Sequence, residues 1–379
     1  MRNKKNDKLL ILLASLIFII TIIAVIFLVT KKQKPNNDID LPETDIQVAE
    51  MMIVPNNEGI QLVNMEGTIL DKIDGEIVFH SNENNDIMYL KDNSFYTLNI
   101  KNDKENKKTI LVENKVLDVN KSDDFRFNDS YIVSLTKIID ESKIEKIESK
   151  NKTKTNKDIS PIIQPNTITA SSNFYNVSFI DKKTLKEVNK IEGIELDNFI
   201  IHNNYFIYSR GNYVYSFNID NSKTKELYLG KRISDLEIVK DNIVIFDKFG
   251  NGSNKSLILR TNDDLEVNKA SKHDASNIMA IQKDKDEETI VYIEDDKTPI
   301  LYMLNLDGDR ETKKKKSLNL DIQQKYSQDN TIYAKGYVYT AKDGRLNIID
   351  LKSSTLYKTF DIDANFIYPV FSNSNLITN

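Results

Sequence analysis

The chain has 379 residues, with 52 Lys+Arg, 57 Asp+Glu, three His, and neither Cys nor Trp. Without Cys there is no disulfide, thiolate metal site, iron–sulfur cluster, cysteine nucleophile or lipoprotein anchor. Residues 1–34 hold seven basic residues and one acidic one, which leaves 45 basic and 56 acidic in the rest; an acidic body argues against nucleic acid as the partner.

A basic tail, residues 1–8, precedes Leu9 to Thr30, LLILLASLIFIITIIAVIFLVT, a run of 22 residues with no charge, Pro or Gly. A helix of that length spans about 33 Å, enough to cross a hydrocarbon core. A cleaved signal peptide has a shorter apolar run ending at a small-residue site, and here the run ends in FLVTKKQK. Residues 9–30 therefore read as an uncleaved signal anchor. Four basic residues before the span and three after it favour a cytoplasmic N-terminus, with the remainder outside the membrane.

Residues 31–47 contain two Pro and few apolar side chains and read as a stalk. The body is then 48–379. Within it, 137–172 is dominated by Lys, Asn, Ser and Thr, a composition that buries too little apolar surface to order itself. It reads as a disordered loop inserted between two strands.

The rest alternates at strand period. Tyr213, Tyr215, Phe217 and Ile219 share one face, and Val214, Ser216 and Asn218 the other. Short apolar strands begin at 52, 87, 131, 205, 243, 290 and 337, separated by 35, 44, 74, 38, 47 and 47 residues. Without the inserted stretch the long interval falls to about 38, and a period near forty with several strands per unit is a propeller signature. The expected fold is all-β: a β-propeller of seven four-stranded blades, with six or eight also compatible, preceded by one transmembrane helix. The last residues supply an extra strand near 366–371, so that the two termini complete one blade and leave no free sheet edge.

Residues 337–360, YVYTAKDGRLNIIDLKSSTLYKTF, form a strand, an Asp343-Gly344 hairpin, a strand ending in Asp350, a polar turn and another strand. Residues 205–229 repeat that layout, with Asp220 in the place of Asp350. The pattern resembles one blade of the PQQ-like and YVTN-type bacterial propellers. The resemblance implies a fold and no cofactor, because those blades carry a docking Trp that this chain lacks. Tyr357 or Phe360 would have to take its place.

Chemistry is harder to find. His80, His202 and His273 lie far apart in no metal-ligand spacing. Propeller inner strands would bring His80 nearer His202, but separate histidines are the plainer expectation. No G-x-S-x-G elbow or phosphate-binding loop occurs. The acid pairs Asp123/Asp124, Asp263/Asp264 and Asp296/Asp297 sit in hydrophilic connections and read as solvated surface. Asn305, Asp307, Asp309 and Glu311 alternate in NLDGDRE, a weak calcium candidate; the bland alternative is a hairpin turned by Asp307-Gly308. The Lys313–Lys316 run reads as a solvated hairpin. The cluster Tyr205, Phe206, Tyr208, Tyr213, Tyr215 and Phe217 reads as core rather than a sugar-stacking surface. The N-x-[ST] matches at Asn128, Asn151, Asn176, Asn251 and Asn254 fit the Asn- and Lys-rich bias of an AT-rich bacterial genome and are given no role.

The expectation is a single-pass membrane protein of the bacterial envelope whose extracytoplasmic propeller binds or scaffolds a protein or cell-wall polymer partner. The rivals are a propeller hydrolase or lyase with carboxylates at the central channel, and a sensor or assembly factor of a secretion or pilus-like machine.

Overall fold

A computed structural model describes residues 46–379 except 82–85, 104, 107, 140–173, 231, 240–241, 248–255, 274–277, 284–288, 295–299, 306–311, 318–330, 343, 354, 365, 373, 375 and 379; from 271 to 331 the backbone alone is described. The predicted span 9–30, most of the predicted stalk and most of the inserted stretch lie outside the described residues. So do Asp307, Asp309 and Glu311 of the calcium candidate. Among the described residues no helix is long and apolar enough to cross a membrane.

The described strands form seven sheets. From inner to outer edge, sheet 1 is Tyr368–Val370, Met51–Asn56, Gly59–Asn64 and Ile69–Asp74. Sheet 2 is Ile77–Ser81, Ile87–Lys91, Ser94–Asp103 and Lys108–Asp118, and sheet 3 is Asp124–Phe127, Tyr131–Lys137, Phe174–Asp181 and Lys186–Glu195. Sheet 4 is Asn198–His202, Tyr205–Arg210, Tyr213–Asn218 and Thr224–Tyr228. Sheet 5 is Ile233–Val239, Asn242–Asp247, Ser256–Thr261 and Val267–His273. Sheet 6 is Ile278–Lys283, Thr289–Glu294, Ile300–Asn305 and Thr312–Ser317, and sheet 7 is Thr331–Ala334, Tyr337–Lys342, Arg345–Asp350 and Thr355–Phe360. Sheets 2 to 7 are antiparallel meanders, and from sheet 2 onward each inner strand lies beside the inner strand of the next sheet. The apolar starts read from the sequence all fall on the second strand of a sheet.

Alternation explains why the sheets stack as they do. Met51–Asn56 is buried at all six positions. Met51 and Ile53 pack with Ile87, Tyr89 and Leu98 of sheet 2. Met52 and Val54 point the other way, onto Tyr339, Leu346 and Ile348 of sheet 7. In the same manner Met88 and Leu90 turn to Phe125 and Phe127 of sheet 3. Each such side chain contributes about 1.5–3 kcal/mol by leaving water. A sheet apolar on both faces needs a neighbour on each side, so the sheets close on themselves as a β-propeller. The closing contact is Met51–Ile53 against Tyr368–Val370, near the place expected. Not foreseen is a further strand, Ile377–Thr378, which runs parallel to Ile100–Lys101 of sheet 2.

Among the described residues a recurrent turn follows the third strand of sheets 1–5 and 7. A side-chain oxygen of Asn64, Asp103, Asp181, Asn218, Asn262 and Asp350 accepts two backbone N–H bonds of the turn, at 2.7–3.4 Å. Short acceptor side chains favour this local bonding. Asn305 ends the third strand of sheet 6 and stands at the same register position. Asp350 behaves as expected, but Asp220 does not. Asn218 holds its turn, two residues earlier, and Asp220 instead accepts from Tyr131 Oη (2.7 Å) and Asn204 Nδ2 (2.8 Å). Lys342 pairs with Arg345 where the second and third strands of sheet 7 meet, with Gly344 at φ 73°; Asp343 lies outside the described residues.

Phe360 fills the docking role sought for a Trp. It is 6% exposed and lies against Gly67 in the turn of sheet 1, where an added Cβ would come within 2.8 Å of the ring at φ +85°. Lys358 Nζ lies 5.3 Å from that ring centroid and donates to the Met65 carbonyl. Tyr357 is 49% exposed and packs on Tyr337. Phe360→Ala is therefore expected to cost about 3–5 kcal/mol, and Tyr357→Ala under about 1 kcal/mol, read by urea unfolding; equal costs would refute the docking role. Asn218→Ala is expected to lower stability by about 1 kcal/mol, more than Asp220→Ala if the turn rather than the Tyr131 bond dominates, by the same measurement.

Candidate functional site at the inner strands

The first strands of sheets 2, 3 and 5 carry polar groups that the apolar pattern of the second strands excludes. Ile77–Ser81 holds His80, Asp124–Phe127 holds Asp124 and Arg126, and Ile233–Val239 holds Asp235 and Glu237. Along Asp124–Phe127 the burial alternates: Phe125 and Phe127 enter the core with sheet 2, leaving Asp124 and Arg126 on the other side.

Arg126 is the centre of the cluster. Its Nη1 donates to Asp124 Oδ1 (2.7 Å) and to the Phe125 carbonyl (2.8 Å), and lies 2.8 and 3.1 Å from the two ring nitrogens of His80. Its guanidinium carbon stands 4.8 Å from the centroid of the Phe199 ring, on the inner strand of sheet 4, a cation–π distance. His80 Nε2 is 2.9 Å from Asp124 Oδ1, and its ring meets Phe125 edge-on at 4.5 Å. Residues of sheets 2, 3 and 4 thus converge on one cation, and Glu237 of sheet 5 lies within its electrostatic reach.

Protonation follows from this packing. Burial, and then the Arg126 charge, hold His80 down to about 4, against the bond it donates to Asp124, which raises it. A neutral ring keeps one lone pair for the Arg126 N–H while its other nitrogen donates to Asp124. For Asp124, burial raises the pKa, but the bond from His80, the Arg126 charge and the N–H of Phe125 prevail and hold it below the usual carboxylate value. Burial, with the neighbouring Asp235 charge, pushes Glu237 far above that value, against the N–H of Ile238 and Arg126. Two carboxyl groups within the electrostatic reach of one guanidinium are thereby driven in opposite directions.

The other sequence candidates fall elsewhere. His202 does not join His80: its Nδ1 is 2.6 Å from Asp263 Oδ1, and Asn203 Nδ2 donates to Asp263 Oδ2 at 3.1 Å. Asp263 is therefore not solvated surface but ties the first turn of sheet 4 to a turn of sheet 5, as Asp220 ties sheet 4 to Tyr131 of sheet 3. Asp124 likewise leaves the solvated class. Asp123 accepts the N–H of Lys137. His273 ends the outer strand of sheet 5. Among the described residues no group of three His, Cys, Asp or Glu side chains could hold a metal ion. Phe206 and Phe217 are core with Phe179, whereas Tyr208, Tyr215, Tyr213 and Tyr228 stack outward at 4.9–6.0 Å to a ring 61% exposed. Arg126 and Glu237 were not singled out from the sequence; charges alternating with Phe in DFRF, and with Leu and Ile in ISDLEIV, were the available signal.

The opposed shifts have a measurable consequence. An unfolded His takes up its proton near pH 6.5, so the His80 contribution is intact above that pH and is lost as pH falls toward 4, by up to about 3 kcal/mol. Glu237 acts in the reverse sense: its folded pKa is raised, so its contribution is present at low pH and is lost as pH rises above the ordinary glutamate range. Glu237→Gln is expected to steepen the loss of stability on acidification between pH 6.5 and 4.5, and His80→Gln to remove it. Parallel melting-temperature profiles for the wild type and both variants would refute the assignment.

No family model matches the chain, and no curated protein matches it. Among solved structures it is similar to apo AztD from Citrobacter koseri, with 12% identity, 85% of this chain and 98% of that chain covered, and a TM-score of 0.47. It is also similar to a 6-phosphogluconolactonase-like protein from Bacteroides fragilis (13%, 87% and 99%, 0.48) and to Hsv2 from Kluyveromyces lactis (10%, 82% and 95%, 0.46). These are loose likenesses, and the architecture rests on the strand pairing described above.

Proposed function

We propose that the chain is a single-pass protein of the bacterial envelope, in which residues 9–30 anchor a seven-bladed extracytoplasmic propeller of the PQQ-like, YVTN-type kind that serves as a binding module. The observation that carries the binding role is the convergence of His80, Asp124, Arg126 and Phe199 from three inner strands on a framework that is otherwise apolar between its sheets. The anchor reading is supported by the apolar run itself and by the way the chain enters the body. Gln47 donates from its backbone to Lys335 O (3.1 Å), Ile46 lies against Gly336, and the Ala49 N–H donates to Tyr339 Oη (2.9 Å). The entering chain is therefore held at the first turn of sheet 7. Residues 31–45 reach at most about 50 Å when extended, so on this reading the first turn of sheet 7 stays within that distance of the membrane. The partner is a protein or cell-wall polymer.

A second reading, a propeller hydrolase or lyase, is favoured by the divergence of two inner-strand carboxyls: burial pushes the Glu237 pKa up, while the bond from His80 and the Arg126 charge hold Asp124 below the usual carboxylate value, the kind of separation an acid–base mechanism uses.

Protease added to intact cells is expected to cleave the body, leaving a short membrane-protected fragment. A body that resists until the cells are lysed would overturn the outside assignment. Exchanging residues 9–30 for an unrelated membrane helix is expected to preserve function; loss of function with normal surface display would favour the sensor or assembly role.

A further inference from the structure

Arg126 is only half used by the protein. All four of its short polar contacts leave from Nη1, and among the described residues Nε and Nη2 donate to no acceptor. Its side chain is 36% exposed, and the Phe199 ring fixes the plane from one face. A guanidinium edge with two parallel N–H donors matches a planar two-oxygen acceptor. Of the acidic neighbours, Asp124 is already engaged by Arg126, by His80 and by the Phe125 N–H at 2.7 Å. We propose that the free Nε and Nη2 edge of Arg126, framed by His80, Asp124 and the Phe199 ring, is the docking point for a ligand carboxylate.

This ligand class rests on reading the inner-strand cluster as a binding site. The electrostatics run the same way: burial disfavours a negative charge on Glu237, and burial with the Arg126 charge disfavours a positive charge on His80. A bound cation would instead meet the guanidinium at close range. The ring of Phe199 also offers apolar surface beside the fork, which suits a carboxylate carried on an apolar or aromatic group.

The test uses the full-length chain in detergent, labelled with [15N]arginine, and titrates benzoate while following the Arg126 Nε–H resonance. A saturable shift with benzoate, absent with benzamide, is the expected result. Calorimetry on Arg126→Lys, which keeps the charge and loses the fork, is expected to show benzoate binding weakened at least about tenfold. If that variant does not fold, the wild-type titration decides alone. No saturable benzoate shift, an equal shift with benzamide, or saturation by inorganic phosphate or calcium but not by benzoate would each overturn the proposal. The purified chain is indifferent to membrane sidedness, so a failed titration sinks the carboxylate and leaves the tether, whereas protease resistance in sealed cells sinks the tether and leaves the carboxylate.

Discussion

The second strand of each sheet is apolar on both sides, and the rest of the structure depends on that. An ordinary antiparallel sheet turns one face to water and reads as an alternation of apolar and polar residues. Here the alternation is between two apolar sets that serve different neighbours, as Met51 and Ile53 serve sheet 2 while Met52 and Val54 serve sheet 7. Such a sheet is stable only between two others. A linear stack would leave a bare apolar face at each end; a ring leaves none, and the pairing of Met51–Ile53 with Tyr368–Val370 completes sheet 1.

The same constraint explains where polar chemistry can sit. Between sheets, a charge would have to be desolvated against Ile, Val and Phe with few partners. At the turns it is free but solvated, and there Asp263 and Asp220 have become ties between adjacent sheets. The inner strands are the remaining place, close enough for side chains of different sheets to satisfy one another. Arg126 shows how this works: its charge is met by Asp124, its plane by Phe199 and its nearest N–H by His80, so three sheets jointly solvate one cation.

The apolar periodicity exposed the second strands in full, because a doubly buried strand is a continuous run of Ile, Val, Met and Tyr that turns punctuate. Closure by residues near 366–371 was legible for the same reason. The turn position was misread by two residues at Asp220, since Asp and Asn are equally good local acceptors and only the strand register distinguishes Asn218 from Asp220. The inner-strand cluster was illegible for a different reason. Its members stand at 80, 124, 126, 199 and 237, one or two per sheet, and no spacing in the chain records that a ring brings them together. Phe360 could be named beforehand only as one of two aromatics, because the deciding fact, the bare backbone of Gly67 opposite it, lies in another sheet.

The pairing that completes sheet 1 also sets an order of events. Met51–Asn56 is made early and can form its outer pairs at once with Gly59–Asn64, but its inner partner lies more than three hundred positions further along the chain. Until that segment arrives, one strand edge and the Met52–Val54 side of the sheet stand open to any passing chain. A nascent chain holds this surface unpaired until its last residues are made, which makes the interval before closure, rather than the finished ring, the period of greatest exposure to misassembly.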